Sequence, residues 1–456
     1  MFQLLQKGYL TSNMNVSKGG LFMKRLIVEQ LVKWKENANR KPLILKGVRQ
    51  CGKTYILKEF GKDHYENVAY FNFEQDKSLS KVFEEDFDIN RIIYELSIIS
   101  RNKIEQGKTL IIFDEIQECS NALTSLKYFN ENGNGYHIAC AGSLLGIALH
   151  KNVSFPVGKV DFITLYPMSF YEFLIAAGEE SLYEYLLEFN EKSVSEALSS
   201  KIVTLLKQYY VIGGMPEVVD SWFKNHDIQE TERIQQQIIS SYELDFAKHA
   251  DIRDYPKLTA IWSSIPNQLS KPNNKFIFSQ VKKGYRAKDL EDALEWLIDA
   301  GLVYKVAKIE KPFIPLSSYA DNSFFKIYLC DVGLLRKLAN VPAEIIIDSS
   351  NIYSEFKGAV TENFVLNELV KSLSSSLYYW TSDNSAEVDF VIQCGVNVVP
   401  IEVKAETNVK ARSLSVYIEK HQPKYAIKAS LKTDVGGEKI YRLPLYLIGQ
   451  IQRFAK

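Results

Sequence analysis

Two groups of residues have the types and spacing to do chemistry. The first is GVRQCGKT at 47–54, which fits GxxxxGK[ST] with Gly47, Gly52, Lys53 and Thr54 at the fixed positions. Glycines let a backbone turn without a Cβ in the way, and successive main-chain amides at a helix N-terminus make an anion-binding field. Such a loop captures a triphosphate. Lys53 reaches the β and γ phosphates, Thr54 ligates Mg²⁺, and Arg49, Gln50, Cys51 and Tyr55 complete the expected nucleotide contacts. Some sixty residues on, LIIFDE at 110–115 ends an apolar run on an acidic pair. Asp114 is expected in the Mg²⁺ shell and Glu115 is expected to orient and polarise the attacking water. IACAGS at 138–143 ends on Ser143, whose hydroxyl either senses the γ-phosphate or simply caps a helix.

The second group lies near the C-terminus. Asp389 in EVDFVI (387–392), followed by Glu402 and Lys404 in IEVK (401–404), fits the D-x(n)-ExK arrangement of PD-(D/E)xK nucleases. The two-residue period of a strand sends Glu402 and Lys404 to one face. Asp389 and Glu402 are expected to converge on Mg²⁺, with Lys404 holding the attacking water or neutralising charge on a scissile phosphate. Glu362, on the helix before them, is either a further acidic metal ligand or a solvated or salt-bridged helix residue. Carboxylates this close repel, so an empty site predicts raised carboxyl pKa values. Residues 401–456 carry eleven Lys or Arg against five Asp or Glu, which favours a polyanion partner or forms a solvated basic face. Lys282, Lys283, Arg286 and Lys288 form a smaller basic cluster of the same ambiguity.

The elements that must position these groups follow from periodicity. Short apolar runs at 41–47, 68–73, 109–113, 136–141 and 159–166, separated by helical patterns, predict a parallel sheet covered on both faces. A tail over 1–22 precedes this core, which is expected over 23–175. Residues 176–250 read as helical, broken at 213–216 by Gly-Gly-Met-Pro. Residues 251–311 end in a helix, a glycine and an alternating strand, as a winged helix does. Two prolines and three serines in 312–323 open an expected linker over 312–353. From 354 to 456 the order helix, three strands, helix, strand predicts an α/β domain of restriction-endonuclease type.

Composition narrows the class. The chain has 456 residues, 55 basic and 55 acidic, so a uniformly basic nucleic-acid coat is excluded although a local patch is not. Five scattered cysteines without a CxxC pair, and six scattered histidines, give no structural zinc spacing and fit a reducing cytoplasm. No apolar run approaches the roughly 18 residues that span a bilayer, so no membrane partner is expected.

GVRQCGKT, LIIFDEIQE, IACAGS, LYPMSFYEFL (165–174) and GGMPEVV (213–219) together resemble the AAA-type P-loop ATPases of bacteria and archaea that carry a C-terminal DUF4143-type domain of uncharacterised function. The likeness runs from about Lys24 to Gly449. It implies an α/β protein: a P-loop NTPase core, a helical and winged-helix middle region, and a PD-(D/E)xK nuclease-like end domain. Where such chains usually have Arg, this one has Lys159, which lacks the planar bidentate contact of an arginine finger. The expected function is Mg²⁺-dependent ATP hydrolysis coupled to a nuclease-like domain that binds nucleic acid, DNA ahead of RNA, with cleavage left open. The alternative is a nucleotide-dependent regulatory switch whose end domain binds a partner without catalysis. A homo-oligomer is compatible with either.

Overall fold

Five short strands carry the N-terminal half: β1 (Leu43–Lys46), β2 (Asn67–Asn72), β3 (Thr109–Asp114), β4 (His137–Ala141) and β5 (Asp161–Thr164). All their pairings are parallel, and they lie in the order β2-β3-β4-β1-β5. The computed structural model describes residues 24–142, 156–250, 253–271, 275–347, 354–382, 386–406 and 412–455. The expected tail over 1–22 and Ser143 lie outside these residues. Alternation along the strands divides the apolar side chains between two cores. Leu43, Leu45, Leu110, Ile112 and Ala139 pack on one face, and Ile44, Ile111, Phe113, Ile138 and Cys140 on the other. With both faces buried, only the strand ends remain for chemistry, and the register sets Asn72 beside Asp114 and Asp114 beside Ala141 at one such end.

The break at 213–216 falls between helices Glu196–Ile212 and Pro216–Asn225. The last carbonyls of the first helix, Val211 and Ile212, accept from Gln235 Nε2 at 2.9 Å each, so a side chain of helix Ile228–His249 replaces the missing helical donors. The buried Arg336 orients that glutamine, donating to Gln235 Oε1 at 2.7 Å and to Glu232 Oε1 at 2.8 Å.

The C-terminal half is built on a seven-stranded mixed sheet containing β6 (Val303–Ile309), β7 (Ala320–Leu329), β8 (Tyr378–Thr381), β9 (Glu387–Cys394), β10 (Asn397–Val403), β11 (Ala426–Ser430) and β12 (Ile440–Pro444). Their order is β12-β11-β10-β9-β8-β6-β7. Here the structure departs from the sequence reading. The expected linker over 312–353 contains β7 and helix Val332–Leu338, and β6, read as the end of the middle region, also pairs in parallel with β8. The Pro- and Ser-rich opening of the segment gives it a loop-like composition, but Phe325–Leu329 are buried and β7 pairs antiparallel with β6. Helix Ser354–Ser372 secures the end of β7. Asn363 Oδ1 accepts from Leu329 N at 2.8 Å, and the Asn363 and Asn367 amides donate to Leu329 O at 3.0 and 2.9 Å. Among the described residues no helix is long and apolar enough to cross a membrane.

Candidate nucleotide site and C-terminal carboxylate cluster

The turn after β1 is possible only with glycine at its start. A Cβ on Gly47 would lie 2.2 Å from the Leu165 carbonyl oxygen, and Gly52 holds a φ of 94°, in the left-handed region. Helix Lys53–His64 begins immediately afterwards, so its first amides point into the turn. The buried Lys53 ammonium donates to the carbonyls of Gly47 at 2.8 Å and Val48 at 2.9 Å. These acceptors are neutral, and an anionic phosphate oxygen is a stronger partner for the same protons.

The two sequence motifs meet at Asp114. Thr54 Oγ1 donates to Asp114 Oδ2 at 2.9 Å, and Tyr70 OH donates to the same oxygen at 2.7 Å. Asn72 Nδ2 donates to Tyr70 OH at 3.2 Å and reaches Asp114 Oδ2 at 3.5 Å. Burial raises the Tyr70 phenol to about 12, with the Asn72 bond opposing and the Asp114 bond adding. The phenol therefore stays a donor. Glu115 follows with a φ of 50°, sparsely populated for a residue bearing a Cβ. Its amide donates to Asp114 Oδ1 at 3.2 Å and its Oε2 accepts from Gln117 Nε2 at 2.6 Å. A hydroxyl and a carboxylate at hydrogen-bond distance, beside the amides that open helix Lys53–His64, suit Mg²⁺ with a triphosphate. Thr54 and Asp114 are the residues to hold that ion.

Sequence reasoning missed Tyr70 and Asn72, although the polar residues in the apolar β2 and their register opposite β3 were a usable signal. It also missed what grips the loop. Arg25 donates to Cys51 O at 3.1 Å, to Tyr166 O at 2.7 Å and to the buried Glu172 carboxylate at 2.9 Å. From helix Ile228–His249, Tyr242 OH donates to Arg49 O at 2.9 Å, Ser241 Oγ donates to Gln50 Oε1 at 3.3 Å, and Asp245 pairs with the Arg49 guanidinium. Arg49, expected on the nucleotide, is thus bound to Asp245, and Cys51 is buried with Sγ 3.5 Å from Leu165 O. Tyr55 is half exposed. Lys159 pairs with Glu131 at 2.9 Å.

In the C-terminal sheet Asp389, Glu402 and Lys404 do come together. Lys404 Nζ lies 2.7 Å from Glu402 Oε1, Glu402 Oε2 accepts from Leu414 N at 3.0 Å, and Asp389 Oδ2 accepts from Val403 N at 2.7 Å. Burial raises the Glu402 carboxyl, with Lys404 opposing and Asp389 adding. Glu362 accepts from Tyr328 OH at 3.2 Å and lies 3.9 Å from the Lys326 ammonium, which is 2.5 Å from Glu387. The expected Mg²⁺ set of Glu362, Asp389 and Glu402 does not fit this arrangement. Their oxygens face ammonium groups, main-chain amides and a phenol, and among the described residues no three His, Cys, Asp or Glu are grouped to hold a metal ion.

Three family models match separate parts of the chain. Residues 39–174 match the family model described as an AAA domain, residues 203–344 a domain of unknown function (DUF8612), and residues 357–448 a domain of unknown function (DUF4143). An AAA-type P-loop domain is therefore followed by a DUF4143 domain. Among solved structures the chain is similar to the Walker-type ATPase PABY2304 of Pyrococcus abyssi, at 14% identity and a TM-score of 0.43, over 69% of this chain and 95% of that one. It is also similar to the Thermotoga maritima RuvB Holliday junction branch migration motor, at 14% identity and a TM-score of 0.29, over 62% and 90%. The Aeropyrum pernix ORC1 protein in complex with DNA shares 12% identity at a TM-score of 0.26, over 69% and 91%. No curated protein sequence matches the chain.

Proposed function

We propose that the protein is a Mg²⁺-dependent ATPase whose hydrolysis cycle is coupled to a C-terminal domain that binds nucleic acid. One observation carries the first part: the 2.9 Å bond from Thr54 to Asp114, which joins two motifs sixty residues apart in the sequence. When bound, Mg²⁺ neutralises charge on the β and γ phosphates. The loop amides and Lys53 hold the phosphates, Thr54 and Asp114 hold the ion, and Glu115 orients a water and draws off its proton as the γ-phosphoryl group leaves ADP. The excess of six basic residues over 401–456 supports a polyanion as the partner of the end domain.

A second reading, a switch whose end domain binds without cutting, is favoured over cleavage by the ion pair between Lys326 and Glu387. The test of the coupled ATPase is phosphate release from Mg·ATP, with and without single-stranded or plasmid DNA. Hydrolysis that responds to DNA supports it. A folded protein that releases no phosphate under either condition refutes the ATPase.

Tyr70→Phe keeps the ring and removes one donor to Asp114. A hydrogen bond to a carboxylate contributes about 1.5–3 kcal/mol. The Mg²⁺ concentration for half-maximal hydrolysis is expected to rise by about tenfold to a hundredfold at little cost in maximal rate. Unchanged Mg²⁺ dependence would show that Tyr70 does not position Asp114.

A further inference from the structure

Lys326 is the middle of Phe-Phe-Lys-Ile-Tyr on β7, where strand alternation sends it and Tyr328 to the same side. Glu362, from helix Ser354–Ser372, meets both of them. The lysine is wholly buried, and its ammonium passes over the Tyr379 ring of β8, 5.2 Å from the centroid, to reach Glu387 on β9 at 2.5 Å. A buried ammonium survives only where opposite charge compensates its lost hydration. Glu387 and Glu362 supply that charge, and Asp389 stands two residues from Glu387 on the same strand. Both Glu402 oxygens and Asp389 Oδ2 have partners of their own: Lys404 and the Leu414 amide on Glu402, and the Val403 amide on Asp389. Mg²⁺ requires several hard oxygens in near-octahedral array, and the Lys326 ammonium already lies against two of the carboxylates here, Glu362 and Glu387.

We propose that Lys326 is the built-in counter-ion of this cluster, its ammonium standing in for a divalent cation, so that the C-terminal domain is a binding module and not a metal-dependent nuclease. The proposal is independent of the ATPase reading, because none of its residues belongs to the nucleotide site and its test uses no nucleotide.

The test is Mn²⁺ binding to the nucleotide-free, full-length protein, followed by electron paramagnetic resonance. The chains are wild type, Lys326→Met and Lys326→Arg, each with and without Asp389→Asn, so that weak binding elsewhere is subtracted. Circular dichroism checks that each variant is folded. The wild type and Lys326→Arg are expected to show no Mn²⁺ binding that Asp389→Asn removes. Lys326→Met is expected to gain Mn²⁺ binding that Asp389→Asn weakens at least tenfold. Wild-type Mn²⁺ binding, or Mn²⁺-dependent DNA cleavage, that falls at least tenfold in Asp389→Asn overturns the proposal. A folded Lys326→Met chain that gains no such binding overturns it as well. Should Lys326→Met fail to fold, the wild type and Lys326→Arg decide alone.

Discussion

Replacing Lys53 by alanine weakens Mg·ATP binding by about a hundredfold to a thousandfold and leaves the fold intact. The magnitude is that of removing one preorganised cationic or hydrogen-bond donor from a developing or resident anion, about 2.7–4 kcal/mol. The fold survives because the ammonium gives up only two bonds to loop carbonyls, while the turn itself is held by Arg25 and by Tyr242, which Lys53 does not touch. A fluorescent ATP analogue measures the loss, and circular dichroism with thermal melting checks the fold. Wild-type affinity in a folded Lys53→Ala protein would mean that the triphosphate lies elsewhere.

Glu115→Gln separates binding from chemistry. Glutamine keeps the size and one oxygen of the side chain but cannot take a proton from water. General-base catalysis of this kind contributes about 10²- to 10⁴-fold, and the single-turnover rate of phosphate release is expected to fall by that factor. Affinity for Mg·ATP is expected to stay within about threefold, since the phosphates are held by Lys53 and the loop amides and the ion by Thr54 and Asp114. The strained φ of 50° at Glu115 is unaffected by the change, because Gln bears the same Cβ. A rate equal to wild type would remove Glu115 from the mechanism and leave Gln117, its hydrogen-bond partner, or another group to orient the water.

The nucleotide site was legible because its signals are local. Glycines at fixed spacing, a lysine and a threonine at a helix start, and an acidic pair closing an apolar run each occupy fewer than ten consecutive residues. Their meeting follows from parallel register, as the Thr54–Asp114 bond illustrates. Residues that act across elements were not legible. Ser241, Tyr242 and Asp245 share one face of helix Ile228–His249, yet nothing in that segment says which loop the face meets. Lys326 is the sharper case. Its segment reads as linker because prolines and serines precede it, and its strand exists only through pairing with β6, some twenty residues upstream. The D-x(n)-ExK residues lie on neighbouring strands, but a pattern contains no information about a cation delivered by another strand.

The most direct measurement of the central claim is hydrogen–deuterium exchange, read by mass spectrometry, on the full chain with and without Mg·ATP in the Glu115→Gln background that preserves the ligand. Slower exchange in peptides covering 47–55 and 110–117, absent when Lys53→Ala is added, is the predicted result. Binding of ATP with unchanged exchange in both segments would contradict the account.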